Sequence, residues 1–150
     1  MDPRATVQAL MDVIQTGDFE KVASLRSDDF SSDISIVGMV LAWPWMGIGA
    51  RLKAAFPDLN YGFHIESVDG NIVKFSTQIH GTHTGDLDLT LAKRNVIPVT
   101  YKSIATPREY GIATVRNGKV IAWAMESISC TSLQTILRQL GVKSHWLQFD

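Results

Sequence analysis

Cysteine is nearly absent: Cys130 is the one in 150 residues, so no disulfide can form within the chain and packing alone must hold the fold. Charge of one sign is absent too. Fourteen Lys and Arg face fifteen Asp and Glu, for a net charge of −1. No basic stripe runs along the chain, which excludes the electrostatic footprint of a nucleic-acid surface. No long hydrophobic run exists either. The uncharged apolar run over residues 36–50 has 15 residues, against about 20 needed to span a bilayer. It holds Pro44, three glycines, Trp43 and Trp45, and reads as a buried or pocket-rim segment rather than a membrane contact. Met1-Asp2-Pro3-Arg4-Ala5 lacks the apolar core of a secretory signal, so a cytoplasmic setting is expected. The four histidines show no zinc spacing beside Cys or Asp ligands. His80-x₂-His83 alone is no metal site, and none is expected.

What is present suits one domain over residues 1–150, with 143–150 as a tail. Asp2-Pro3 is a helix start: a capping carboxylate, then a proline whose missing N–H costs nothing. Val7, Leu10, Met11 and Ile14 recur at the spacing of one buried helical face, and Gly17 ends it. Asp18 is placed to cap a second short helix that turns Phe19, Val22, Ala23 and Leu25 inward. Asp28-Asp29 reads as a loop. A third helix is expected over residues 45–55, stopped at Phe56-Pro57 because a residue before proline is pushed off helical angles.

The period then changes. Tyr61, Phe63, Ile65 and Ser67 alternate with Gly62, His64 and Glu66. Asp69-Gly70-Asn71 and Asn117-Gly118 are tight hairpin turns. Residues 72–84 read as one long strand, and 96–106, 109–116 and 119–129 as further strands. A closing helix presents Leu133, Ile136, Leu137 and Leu140, with Gly141 as its C-terminal stop. Helices first and antiparallel strands after make an α+β domain.

Four segments carry a resemblance. They are Ala55-Phe56-Pro57-Asp58-Leu59, Gly81-Thr82-His83-Thr84-Gly85, the hairpin from Asn117-Gly118-Lys119 to Trp123, and Gln139-Leu140-Gly141. In this order they resemble the SnoaL-like polyketide cyclases and ester cyclases of the nuclear transport factor 2-like superfamily. The resemblance implies a cone: N-terminal helices on a strongly curved, mostly antiparallel sheet, a closing C-terminal helix and a deep pocket. It implies acid–base chemistry on an apolar carbonyl compound without a cofactor, and a homodimer through the sheet face.

In that family an acid–base pair flanks the tryptophan of the last strand. Here Ala122 and Ala124 flank Trp123, and alanine cannot carry a proton. Strand alternation puts Ala122, Ala124 and Glu126 on one face. If that face lines the cavity, Glu126 is the candidate base; otherwise it is a solvated strand end. Gln78 and His80 share a strand face and can meet a carbonyl oxygen, with His80 the second catalytic candidate, or they serve only as wall. His83 falls on the opposite face and reads as a strand-end support. His64 reads as a surface residue. Trp45, Phe63, Tyr101 and Trp123 can line a site for a ring-bearing ligand or can simply be core. Three functions stay open: a cyclase or isomerase, a non-catalytic binder of small molecules, and an interaction module.

Overall fold

The computed structural model describes residues 2–18, 20–32, 35–41, 47–92, 95–126 and 133–142. Trp43, Pro44, Trp45, Cys130 and His145 lie outside the described residues, as does Phe19.

Helix α1 (Pro3–Thr16) forms as its sequence dictates. The Asp2 carboxylate accepts from the Ala5 amide at 2.7 Å, and Gly17 closes the helix at φ 85. Val7, Leu10, Met11 and Ile14 are all buried, and each contributes about 1.5–3 kcal/mol of transfer free energy. Helix α2 (Val22–Leu25) is not capped by Asp18, contrary to expectation. That carboxylate sits 3.4 Å from the Lys21 ammonium instead, and Ala23 is exposed.

Asp28-Asp29 is not a loop but part of strand β1 (Arg26–Ser32), which runs parallel to the last long strand. An edge strand can carry outward charge, and Asp29 is held by Arg116 at 2.9 Å.

The apolar run contains helix α3 (Ile36–Leu41), with Ile36, Val37, Val40 and Leu41 buried. Helix α4 (Ile48–Ala55) follows and ends before Pro57.

The main sheet has the order β1-β9-β8-β3-β2. Its members are β2 (His64–Asp69), β3 (Ile72–Thr77), β8 (Glu109–Arg116) and β9 (Lys119–Met125), beside β1. Every pairing but β1 with β9 is antiparallel. Gly70 at φ 61 turns β2 into β3. Asn117 and Gly118, at φ 53 and 75, turn β8 into β9, the paired left-handed angles that match sheet twist. Val73, Phe75, Ala113, Val115, Val120 and Trp123 are buried on the inner face, which α1 crosses. Gly111 makes room for this core: a Cβ there would lie 2.5 Å from the Phe75 ring.

The expected strand over residues 72–84 is in fact two. After Thr77 the chain leaves β8 for other partners. The Thr77 hydroxyl and the Gln78 amide both donate to the Tyr61 carbonyl, and the Ile79 amide donates to Thr106 Oγ1 at 2.9 Å. Strand β4 (His80–Thr82) then pairs with β7 (Ser103–Ala105) in a separate two-stranded sheet. The expected strand over residues 96–106 is likewise divided into β6 (Val96–Ile97) and β7, with Tyr101 at φ 60 between them. Strand β6 pairs with β5 (Leu87–Asp88), and a short 3₁₀ turn spans Thr90–Ala92. Helix α5 (Leu133–Gln139) closes the chain, with Gly141 at φ 82.

Candidate functional site

The two most recognisable sequence segments prove to be each other's structural partners. Asp58 Oδ1 accepts from the Thr82 amide at 2.8 Å, and these bonds hold its carboxyl below the usual carboxylate range. The amides of Thr84 and Gly85 both donate to the Ala55 carbonyl. Gly85 must be glycine, because a Cβ would lie 2.4 Å from the Ala54 carbonyl oxygen. His83 is fully buried against Phe56, ring centroids 5.2 Å apart. Its Nδ1 accepts from the Thr100 amide at 3.1 Å, which places the proton on Nε2, and Nε2 has no partner among the described residues. His83 is thus the strand-end support that its position suggested. Burial lowers its pKa, against the opposing pull of the Asp86 charge.

An open cleft of about 600 Å³ lies elsewhere, between α1 and the edge strand β2. Its wall from α1 is Gln8, Met11, Asp12 and Gln15; the facing wall is Asn60, Gly62, Phe63, His64, Glu66 and Arg108. Gln15 ties the walls together, donating to the Leu59 carbonyl at 2.7 Å and accepting from the Tyr61 amide at 2.9 Å. Gly62 stands at φ 59, where a Cβ would lie 2.4 Å from the Gln78 carbonyl oxygen.

One device aims the polar groups. Ile65 pairs with Phe75 and Ser67 with Lys74, so Glu66 is an extra residue bulged out of the ladder. Bulges re-aim side chains in this way. Glu66 Oε1 accepts from the buried Ser76 hydroxyl at 2.7 Å, while its Oε2 lies 4.0 Å from His64 Nε2. Ser76 Oγ in turn accepts from Arg108 Nη1 at 2.8 Å, and Arg108 Nη2 donates to Gln78 Oε1 at 3.3 Å. Below the cleft, Phe63 stacks on Tyr61 (5.4 Å, 3° between planes) and meets Trp123 edge-on at 6.1 Å. The Tyr61 hydroxyl and Trp123 Nε1 are buried without a partner among the described residues, and burial pushes the Tyr61 pKa up.

The residues expected to form a site are only partly brought together. Phe63 lines the cleft, Trp123 lies beneath it, and Gln78 joins through Arg108. His80 is exposed, its backbone bridged to that of Asn60 on the rim. Tyr101 is 77% exposed, with its amide on the His83 carbonyl, away from the cleft. Trp45 lies outside the described residues. Trp123 is 1% exposed and faces the core, so Ala122, Ala124 and Glu126 point to the outer sheet face rather than inward. The Glu126 amide donates to the Tyr110 carbonyl, and Tyr110 pairs with Ser76, which pairs with His64. Glu126 is thereby three strands, about 14 Å, from His64. Sequence reasoning missed Glu66 and Arg108. Alternation did place His64 and Glu66 on one face, but nothing announced the bulge.

Among the described residues no three His, Cys, Asp or Glu side chains gather as metal ligands, and no helix is long and apolar enough to cross a membrane. No family model matches the sequence, and no curated relative does. Solved structures do match. IdmH from Streptomyces antibioticus, proposed as a polyketide cyclase, is 20% identical at a TM-score of 0.64, over 95% of this chain and 100% of its own. AclR from Streptomyces galilaeus, proposed as a hydroxylase, is 16% identical at 0.61, over 93% and 84%. A SnoaL-like polyketide cyclase from Agrobacterium tumefaciens is 15% identical at 0.59, over 94% and 99%. Identities this low establish a shared architecture, and the names attached to it already differ in chemistry. The chain has the fold of the SnoaL-like polyketide cyclases, the nuclear transport factor 2-like α+β fold.

Proposed function

We propose that the chain binds a small, ring-bearing carbonyl compound in the cleft between α1 and β2 and acts on it by general acid–base chemistry, as a cyclase or isomerase. The observation that carries this reading is Glu66, bulged out of its strand beside His64 in the cleft that Phe63 also lines. In this mechanism a Glu66 oxygen takes the acidic proton next to the carbonyl. The electron pair moves to the carbonyl oxygen, and a proton-bearing His64 nitrogen meets the enolate. Such a positioned base contributes roughly 10²–10⁴-fold. His80, near the rim through Asn60, is a second proton carrier in this scheme. A cytoplasmic setting belongs to the same proposal.

The test is deuterium exchange from solvent into the acidic position of a bicyclic ketone such as tetralone. The native protein accelerates exchange, and Glu66→Gln lowers the rate roughly 100-fold or more; equal rates in the two proteins would end the assignment. A binding role without turnover has one observation in its favour: one Glu66 oxygen is already occupied by the Ser76 hydroxyl. It predicts that tetralone raises the melting temperature and that no exchange is catalysed by any form of the protein.

A further inference from the structure

Arg108 is the cation of the cleft wall, and no carboxylate among the described residues lies within ion-pair distance of it. The two carboxylates that share the cleft are each held by a neutral donor. Asp12 accepts from the Gln8 amide at 2.9 Å, and Glu66 accepts from the Ser76 hydroxyl at 2.7 Å. Neither makes a direct ion pair with the guanidinium; Glu66 meets it only through the shared Ser76 hydroxyl. The guanidinium is nonetheless fixed in place, because Ser76 Oγ and Gln78 Oε1 receive one N–H from each terminal nitrogen. Ser76 is fully buried, donating to Glu66 and accepting from Arg108. An arginine oriented by two acceptors, with donors to spare and no direct ion-pair partner among the described residues, suits the planar, bidentate geometry of a carboxylate.

We propose that Arg108 anchors a carboxylate on the ligand, so that the cleft takes ring-bearing monocarboxylic acids in preference to their neutral analogues. Asp12 and Glu66 sharpen that choice. A second negative group on the ligand would lie against one of them, so dicarboxylates are disfavoured. The anchored end sits at Arg108 and the ring lies over Phe63 and Met11, which face the same space. This inference rests on the cleft being the binding site, and it adds the chemical class of what enters.

The test is the affinity of naphthoate against that of methyl naphthoate, measured by calorimetry on the native protein, Arg108→Gln, Arg108→Lys and Glu66→Gln. The native protein binds the acid at least tenfold more tightly than the ester. Arg108→Gln weakens the acid roughly 10- to 100-fold, the range expected for a charged hydrogen-bond partner, and leaves the ester unchanged. Arg108→Lys restores part of the loss, as a point charge without the fork. Glu66→Gln, which removes a like charge, leaves the acid bound at least as tightly. Acid and ester binding equally, or acid binding indifferent to Arg108→Gln, would overturn the carboxylate anchor while leaving the cleft as the site. Neither compound binding at all would overturn the cleft itself, and the anchor with it.

Discussion

His83 is a buried imidazole whose accepted bond from the Thr100 amide requires the neutral ring. Burial lowers its pKa from the ordinary 6.5. The sign of the consequence is fixed. Above pH 6.5 the ring is neutral in both the folded and unfolded chains and costs nothing. Below it, the unfolded chain binds a proton that the folded chain refuses, so stability falls as pH drops through 6.5 toward the lowered folded value. Denaturant midpoints taken between pH 8 and 5 should show this decline. His83→Gln, which cannot titrate, should flatten it; an unchanged slope in the variant would assign the decline to other groups. Chemistry at residue scale was the least legible part of the sequence. His83 stands inside the most recognisable motif and is structural, while Glu66 and Arg108 stand in no motif and meet in the cleft. Their meeting depends on one bulge and on a reach from Arg108 to Ser76 across 32 positions, neither of which leaves a local pattern.

Elements were legible where a local rule governs them. Helix α1 was readable from its cap, its apolar spacing and Gly17, and both hairpins from their turn residues. Strand β1 was not, because an exposed edge strand carrying Asp28 and Asp29 shows no apolar alternation. The break between β3 and β4 was not, because it depends on the Tyr61 carbonyl and the Thr106 hydroxyl, both remote in sequence. The junction of α4 with β4 yields a test. At Gly85 an added methyl meets backbone 2.4 Å away, whereas at Gly118, φ 75, nothing lies within 4 Å. Gly85→Ala should therefore cost about 1–3 kcal/mol through overpacking. Gly118→Ala should cost about 1 kcal/mol from its left-handed angle alone. Urea melts of the two variants would settle the order; Gly118→Ala the costlier would contradict the packing account.

The whole molecule has two sheet faces with different fates. The inner face is closed by α1 over Phe75 and Trp123. The outer face presents Ile72 at 38% and Tyr110 at 46% exposure, with Ile112 and Ala124 beside them. We propose that it pairs with a second copy of the chain. Sedimentation should then show a dimer that Tyr110→Glu dissociates, and a monomer at high concentration would remove the idea. The resemblance implied by four short segments led to the right architecture because all four are joints of the scaffold. Asp58 bonds Thr82, and the Gln139 amide bonds both backbone groups of Ala105. Joints report how a chain is held together and say little about what it converts. The central claim is that chemistry belongs to the cleft at the β2 edge and not to Glu126, three strands away. The most direct measurement compares tetralone deuterium exchange in Glu66→Gln and Glu126→Gln. The account predicts loss of catalysed exchange in the first and the native rate in the second; loss in the second with the first unaffected would contradict it.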